Sequence, residues 1–314
     1  MLRKSGPVGQ VSRNGLIGLR AGPLEVDLTP EIGGSIARFD WVRGQDRRPV
    51  MRPGLVDYAD ALHSSCFPLA PYSNRIRGGR FEFGGRVISL SPNMPGDRSP
   101  IHGQAWRAAW TLLEADERSA RLAFDHDPDD WPWRYRVEQH VSLDEAGLDI
   151  VLSCRNLSDQ AMPCGLGLHP YFHCQSDTEL DADVTEVWTV DQDVLPLTRI
   201  AAEGQYNLSR RKICGQGLDN GFEGWSGQAV INWPSRGLTL AMTSADAPRF
   251  QVYSPAGGGL FAAEPVQNAN AALNQPADQW SVLGLKQLAR DQQAQLHVRF
   301  TVTAVGGGDP IRAG

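Results

Sequence analysis

The chain has 314 residues, and its 36 acidic and 30 basic side chains give a formal net charge of −6. Hydrophobic residues make up 41% of the sequence, which is enough to build a substantial core. An acidic chain lacks the basic surface with which proteins bind nucleic acid or anionic membranes, so neither is an expected partner.

The cysteines are odd in number and scattered along the chain, at Cys66, Cys154, Cys164, Cys174 and Cys214. Such a set argues against a disulfide framework and favours a reducing compartment. The N-terminal segment has no continuous apolar stretch, so no signal peptide is expected, and no segment approaches the length of a membrane span. We therefore predict a cytoplasmic protein.

Strand-like patterns follow one another along the chain. FEFGGRVISL (81–90) alternates around a Gly-Gly pair and is typical of a β-hairpin. The other predicted strands are WRAAWTLLEA (106–115), RLAFDHD (121–127), YRVEQHVSL (135–143), LDIVLSCRNL (148–157), QAVINW (228–233), LTLAMTS (238–244), RFQVYS (249–254) and QLHVRFTVTAV (295–305). The segments between them are rich in Gly, Pro, Asp and Asn, which form turns.

Long segments with the 3.6-residue apolar period of an amphipathic helix do not stand out in the sequence. Many short strands separated by turns predict an all-β fold, in the form of a large antiparallel β-sandwich. The strands recur without a linker or a low-complexity break. We therefore predict one domain over residues 1–314, with a flexible Gly-rich tail from about residue 306.

The sequence has neither the G-x-S-x-G elbow of a serine hydrolase nor the G-x-x-x-x-G-K-[ST] phosphate loop, so nucleotide chemistry is not expected. A histidine in GLGLHPYFHC (165–174) allows three interpretations: a packed core residue, a metal ligand or a proton carrier. His169 and His173 have a spacing known for zinc ligands. In an extended segment, however, they would lie about 13 Å apart, and shared coordination would need a turn at Pro170. We predict no metal site.

Two stretches near the hairpin carry polar side chains that suit a polyhydroxylated ligand. PLAPYSNRIRGGRFEFGGR (68–86) contains Asn74 and Arg75, which offer several directed donors, although a solvated loop is the simpler interpretation. IHGQAWRAAW (101–110) places His102 beside a glycine. Trp106 and Trp110 offer flat apolar faces for a sugar ring, but tryptophans in strands more often belong to a core.

Two later stretches each contain a candidate carboxylate. In LDNGFEGW (218–225), Asp219 can accept hydrogen bonds from two hydroxyls, although Asp-Asn-Gly is most simply a turn. In GLFAAEPVQNANAALN (259–274), Glu264 follows an apolar run, and desolvation there would raise its pKa toward the range a general base needs. A glutamate at a strand end facing water is an equally simple interpretation.

In this order, the motifs NRIRGGRFEFGGR, IHGQAW, GLHPYF, LDNGF and AAEPVQNANAALN resemble those of the aldose 1-epimerase (galactose mutarotase) family, over roughly residues 66–274. The resemblance implies a large β-sandwich with an open sugar-binding cleft. It also implies an enzyme that interconverts the α and β anomers of a free aldose, takes a monosaccharide as its partner and needs no metal or cofactor.

The resemblance assigns the general acid to His169 and the general base to Glu264, and leaves His173 a structural residue. Opening the sugar ring requires a proton delivered to the ring oxygen and another removed from the anomeric hydroxyl. The two side chains would exchange roles on ring closure, each transfer contributing roughly 10²–10⁴-fold to the rate.

The resemblance further implies that Arg75, His102 and Asp219 hold sugar hydroxyls, with Asn74 and Gln251 also at the cleft. The sequence departs from the family pattern at Gln104, where many members have a second glycine. It departs again in LGLKQLARDQQAQLHVRF, where many have a Pro-Gly turn. Both departures concern which aldose is bound.

Two alternatives remain open. One is a hexose-6-phosphate 1-epimerase, in which Arg77 and Arg80 would contribute to phosphate binding. The other is a non-catalytic sugar-binding or sensor protein on the same fold. The presence of both His169 and Glu264 favours the enzyme. The sequence predicts neither the particular sugar nor the oligomeric state.

Overall fold

A computed structural model describes residues 15–54 and 60–305. In this part of the chain all regular structure is strand or short 3₁₀ helix. The strands are β1 (Ile17–Ala21), β2 (Leu24–Thr29), β3 (Ser35–Arg43), β4 (Asp46–Pro49), β5 (Cys66–Leu69), β6 (Arg80–Phe83), β7 (Arg86–Ser89), β8 (Thr111–Ala115), β9 (Ser119–His126), β10 (Tyr135–Leu143), β11 (Gly147–Asn156), β12 (Met162–Cys164), β13 (Gly167–His173), β14 (Glu179–Ala182), β15 (Glu186–Val190), β16 (Pro196–Ala201), β17 (Arg211–Lys212), β18 (Leu218–Glu223), β19 (Gln228–Trp233), β20 (Leu238–Thr243), β21 (Arg249–Ser254), β22 (Leu260–Val266), β23 (Lys286–Leu288) and β24 (Gln293–Ala304). The 3₁₀ helices are Ala61–His63, Arg77–Gly79, Ala105–Arg107, Gly204–Tyr206, Pro234–Arg236, Ala272–Asn274 and Ala277–Gln279.

Two large sheets contain most of these strands. The larger has the order β1-β2-β3-β5-β13-β22-β21-β18-β15-β16, with β4 paired to β3, and the smaller has the order β17-β14-β19-β20-β24-β11-β10-β9-β8. The strand pairs within them are antiparallel. The predicted all-β antiparallel fold is therefore confirmed. Both sheets combine strands from the two halves of the chain, and on this ground we propose that residues 15–305 form one domain; the predicted tail from residue 306 lies outside the described residues.

Alternating side chains explain the strands that the sequence predicts well. In β10 the apolar residues Val137 and Val141 are buried, whereas His140, which points to the opposite face, is exposed. The buried Gln139 donates a hydrogen bond of 2.9 Å from its side chain to the Gly34 carbonyl, so its burial leaves no amide unpaired. Each valine that leaves water here contributes on the order of 1.5–3 kcal/mol.

Two of the predicted elements need correction. The stretch 106–115 is a strand only over Thr111–Ala115, because Ala105–Arg107 forms a 3₁₀ turn that buries Trp106. The turn interpretation of Asp-Asn-Gly at 219–221 is wrong: these residues lie inside β18 and pair in register with β21. The neighbouring strand supplies partners for their backbone groups and overrides the local turn preference.

The cysteine pattern argues against a disulfide framework, and it does not indicate the one disulfide found in the described part of the chain. Cys174, directly after β13, is bonded to Cys214, 40 residues further along the chain. Cys66, Cys154 and Cys164 are buried free thiols. The two bonded residues meet because the chain between them folds back across the sheets, which their spacing in sequence does not reveal. None of the helical segments in the described part of the chain has the length and apolar character needed to cross a membrane.

Candidate active site

A cavity of about 410 Å³ lies against one face of the larger sheet. It brings together the residues to which the resemblance assigns catalysis or sugar binding, which are Asn74, Arg75, His102, His169, Asp219, Gln251 and Glu264. Leu62, Met94, Ile101, Tyr171 and Tyr253 complete its lining. A volume in this range is typical of small-molecule sites, and the cavity combines convergent polar groups with an apolar wall.

His169 and Glu264 stand side by side at the bottom of the cavity, on the neighbouring strands β13 and β22. Gly167 pairs with Val266 and Tyr171 with Ala262, so the register places His169 across from Glu264. The imidazole Nε2 lies 3.3 Å from the carboxyl Oε1, and both side chains are more than 90% buried. The water-facing strand end considered for Glu264 is therefore ruled out.

The same strand face carries the next two polar groups. Gln251 on β21 pairs directly with Glu264 on β22, so their side chains leave the sheet on the same side. The Gln251 amide donates a hydrogen bond of 2.8 Å to Oδ1 of Asp219 on β18. A period of two along each strand thus turns distant residues into one continuous polar row.

Asn74 and His102 lie on two loops that hold each other. The backbone N–H of Asn74 donates to Nδ1 of His102 at 3.0 Å, and the backbone N–H of His102 donates to the backbone carbonyl of Asn74 at 3.0 Å. Both residues have positive φ, 62° and 63°, a backbone conformation that costs energy for a side-chain-bearing residue. Gly103 follows with φ of 70°, and a Cβ there would lie 2.1 Å from the Ala70 carbonyl oxygen. The close loop contact therefore requires the glycine of the His-Gly pair.

Arg75 enters the cavity in an ion pair that the sequence did not indicate. Its Nε donates to Oδ2 of Asp97 at 2.7 Å, and both side chains are about 90% buried. Asp97 lies in an irregular loop between β7 and β8 and has no motif around it. Its carboxylate fixes the direction of the guanidinium, as buried charge-assisted hydrogen bonds do.

Burial disfavours charge on both members of the His169–Glu264 pair. It lowers the pKa of His169 to about 3, with a further lowering from the Arg52 guanidinium. It raises the pKa of Glu264 well above the usual value, and the neighbouring Asp219 raises it further while Arg75 opposes the rise. Burial therefore favours the neutral form of both side chains.

Aromatic rings enclose the imidazole of His169. The ring centroid of Phe67 lies 4.6 Å from it in a stacked arrangement, and that of Tyr171 lies 4.5 Å away. The Arg52 guanidinium in turn lies 3.9 Å from the Tyr171 ring centroid. Nδ1 of His169 is buried and has no hydrogen-bond partner in the described part of the chain. Sequence reasoning missed Tyr171, although it stands two residues after His169 and so shares its strand face.

The Asp219 carboxyl also sits in a low-polarity environment. Burial raises its pKa to about 6, and the hydrogen bond from Gln251 and the charge of Arg75 oppose this rise. Burial lowers the pKa of His102 well below its usual value, with further lowering by His169 and Arg75. Several titratable groups in one cavity with pKa values pushed away from their usual range are typical of functional sites.

The remaining proposed features lie elsewhere. Trp106 and Trp110 are buried, and their indole N–H groups donate to backbone carbonyls, so they are core residues and do not line the cavity. His173 is exposed and Cys174 is in the disulfide. Among residues 15–54 and 60–305 no three His, Cys, Asp or Glu side chains are arranged to hold a metal ion.

Comparisons with known proteins agree with this fold. Residues 20–285 match the family described as aldose 1-epimerase. The protein YphB of Escherichia coli K12, itself uncharacterized, is 32% identical over 239 residues, which is 75% of this chain and 79% of that protein. A second uncharacterized protein of that strain, YihR, is 29% identical over 200 residues, 59% of this chain and 63% of that protein.

Two crystal structures extend the comparison to the fold. An Escherichia coli K12 protein provisionally named an aldose 1-epimerase has a TM-score of 0.82 at 27% identity, over 92% of this chain and 99% of that one. A galactose mutarotase-like protein from Clostridium acetobutylicum has a TM-score of 0.81 at 18% identity, over 92% of this chain and 95% of that one, a likeness that concerns the fold alone. Since the family match covers most of the sequence, the chain belongs to the aldose 1-epimerase family.

Proposed function

We propose that the protein is an aldose 1-epimerase that interconverts the α and β anomers of an uncharged free aldose. Family membership supports an isomerase acting on a sugar. The observation that carries the finer proposal is the His169–Glu264 pair, 3.3 Å apart in a cavity lined by hydrogen-bonding side chains. Acid–base chemistry on a hemiacetal needs this combination and no electron sink.

In the proposed mechanism Glu264 takes the proton of the anomeric hydroxyl while His169 gives a proton to the ring oxygen. The C1–O5 bond then breaks and leaves an open-chain aldehyde. Rotation about C1–C2 presents the other face of the carbonyl, and the reverse proton transfers close the ring. Burial favours the proton on Glu264 over His169, because it raises the pKa of Glu264 and lowers that of His169. The reactive form has the same number of protons, with that proton moved to His169.

The other cavity residues would hold the sugar hydroxyls. Arg75 and His102 offer donors, and the Asp219 carboxylate is an acceptor. Asn74 and Gln251 present amides that both donate and accept. Gln251 already donates to Asp219, so it orients that carboxylate as well as facing the sugar.

Charges in the cavity favour an uncharged sugar over a hexose 6-phosphate. Arg75 is already paired with Asp97, and the carboxyl groups of Asp219 and Glu264 lie in the same cavity. The arginines considered for phosphate binding do not line it: Arg77 pairs with Asp191 at 3.4 Å, and Arg80 is exposed on the hairpin. A dianionic phosphate would meet more negative charge than positive, so the phosphorylated substrate is the second candidate. The location predicted from the sequence, the cytoplasm, stays a prediction.

The test is the rate at which freshly dissolved α-anomers of galactose, glucose, arabinose and glucose 6-phosphate reach equilibrium, followed by polarimetry or NMR exchange. We expect the substitutions His169→Asn and Glu264→Gln each to lower kcat by about 10²–10⁴-fold. The matched control variants are His173→Asn, an exposed histidine on the same strand, and Glu186→Gln, a partly buried glutamate outside the cavity that is paired with Arg199.

Each possible result separates the candidates. No acceleration by the wild type on any free or phosphorylated sugar would refute the epimerase, and saturable sugar binding in that case would favour the sensor protein. Full activity in either site variant would refute the assigned role of that residue. Acceleration confined to the phosphorylated sugar would select the second candidate.

A further inference from the structure

The segment after β22 runs beside the loop that carries Asn74 and Arg75. Asn268 accepts the Ser73 amide at 3.0 Å through Oδ1 and donates to the Ser73 carbonyl at 3.0 Å through Nδ2. Two residues further along each segment, Asn270 accepts the Arg75 amide at 3.1 Å through Oδ1. The two asparagine side chains therefore bond to alternate residues of the loop, as the backbone of a neighbouring strand would.

These contacts complete the hydrogen bonding of the cavity loop. The Arg75 carbonyl accepts the Ala271 amide at 3.0 Å. The backbone N–H and the backbone carbonyl of Asn74 are both hydrogen-bonded to His102. Every backbone polar group of Asn74 and Arg75 thus has a partner, although neither residue lies in a strand. Asn74 keeps its unfavourable positive φ because the residues on either side of it are held.

Asparagine suits this task for a chemical reason. Its side-chain amide presents one acceptor oxygen and two donor hydrogens, the same groups that a peptide bond offers to a strand. Asn268 uses both ends on Ser73, while Asn270 donates its other end to the Val194 carbonyl at 2.8 Å. Gly165 makes room for the first of these side chains, since a Cβ there would lie 2.4 Å from Oδ1 of Asn268.

A third asparagine bonds to the same loop away from the cavity. Asn274 accepts the Arg77 amide at 2.7 Å and donates to the Arg77 and Arg80 carbonyls at 3.1 and 2.8 Å. None of these three residues lines the cavity. Asn274 therefore makes more hydrogen bonds to the loop than Asn270 does but does not touch the two sugar-facing residues.

We propose that Asn268 and Asn270 are positioning residues, which set the backbone of Asn74 and Arg75 so that their side chains meet the sugar. The proposal rests on the proposed sugar-binding role of this cavity. It adds that two side chains outside the catalytic pair contribute to the affinity for the sugar. Because they act on sugar-binding groups and not on the proton transfers, their loss should weaken binding and spare the chemical step.

The experiment compares Asn270→Ala with Asn274→Ala in the full-length protein, on the free sugar that the wild type converts fastest. We expect Asn270→Ala to raise KM by about tenfold with kcat within about twofold, the pattern of lost uniform binding. Asn274→Ala removes at least as many hydrogen bonds, so its melting temperature should fall at least as far while KM stays within about twofold. Hydrogen–deuterium exchange should quicken at residues 73–75 in the first variant and at residues 77–80 in the second.

Equal increases of KM in both variants, or faster exchange at 73–75 with an unchanged KM, would overturn the proposal while leaving the epimerase intact. A wild type inactive on every sugar would instead overturn the proposed function. If Asn270→Ala does not fold, Asn270→Asp carries the test, because it keeps the oxygen that accepts the Arg75 amide and loses the bond to Val194. A KM near that of the wild type is then expected, and a tenfold increase would refute the positioning role of this oxygen.

Discussion

The Cys174–Cys214 bond closes a segment of 40 residues that contains β14 to β17. A cross-link stabilises a protein mainly by restricting its unfolded chain, and the loop-entropy relation gives about 4 kcal/mol for a segment of this length. We therefore expect the double substitution Cys174→Ser and Cys214→Ser to lower the free energy of unfolding by about 4 kcal/mol. A loss of this size is a large part of the stability of a typical domain.

Urea denaturation measures this loss directly. Four samples are compared: the oxidised wild type, the wild type with dithiothreitol, the double variant with dithiothreitol and the double variant without it. We expect the reduced wild type to match the double variant, and the double variant to be insensitive to the reductant. Thiol titration of the denatured, unreduced wild type should count the three free cysteines, Cys66, Cys154 and Cys164.

Two outcomes would refute the reasoning at different points. Five titratable thiols in protein purified without reductant would show that the bond does not form. Three thiols together with a loss below about 1 kcal/mol would show that the bond forms but that the unfolded chain is already restricted in this segment, so that closing it costs little entropy.

Two further substitutions test the geometry and the electrostatics of the cavity. Gly103→Ala places a Cβ 2.1 Å from the Ala70 carbonyl oxygen at positive φ, so we expect a loss of about 3 kcal/mol or more in urea denaturation. Gly84→Ala, with positive φ but open space around it, should lose clearly less, and equal losses would contradict the role of the close contact. Asp219→Asn should raise the melting temperature more at pH 8 than at pH 4.5, because burial raises the pKa of Asp219 from 3.8 to about 6. The cost of ionising this carboxyl in the folded state grows as the pH rises from 3.8 to 6 and is complete above about 6. The same change in melting temperature at both pH values would contradict the raised pKa of Asp219.

The sequence predicts those strands that have one face in the core and one face toward water. β10 and β19 have the bounds expected from their alternating patterns. β21 also has its predicted bounds, although it is buried at all but one position. The pattern is weaker where a strand is covered on both sides. β13 is buried at all but its last position and β22 at all but its first, because the sheet core lies on one face and the cavity loops on the other. The strands that carry the candidate catalytic pair are thus among the hardest to read from periodicity.

The candidate site follows from the order of its motifs, not from any one of them. Each motif alone fits a turn, a solvated loop or a core residue, and only the resemblance joins Asp219 to Glu264. Asp97 and the disulfide escape sequence reasoning because their partners are distant in the chain and no local pattern links them. Asn268 and Asn270 stand in a quoted motif, but their bonds to the loop depend on a tertiary contact that residue spacing does not contain.

The hydrogen bond from the Asn74 amide selects the tautomer of the His102 imidazole. A backbone N–H can only donate, so Nδ1 must accept, and a neutral ring then carries its proton on Nε2. The lowered pKa of His102 keeps the ring neutral. Nε2 of His102 can therefore only donate. A sugar oxygen bound at Nε2 must present a lone pair, with its own hydrogen turned away. If His102 holds a sugar hydroxyl as proposed, a single peptide group sets the rotation of that hydroxyl.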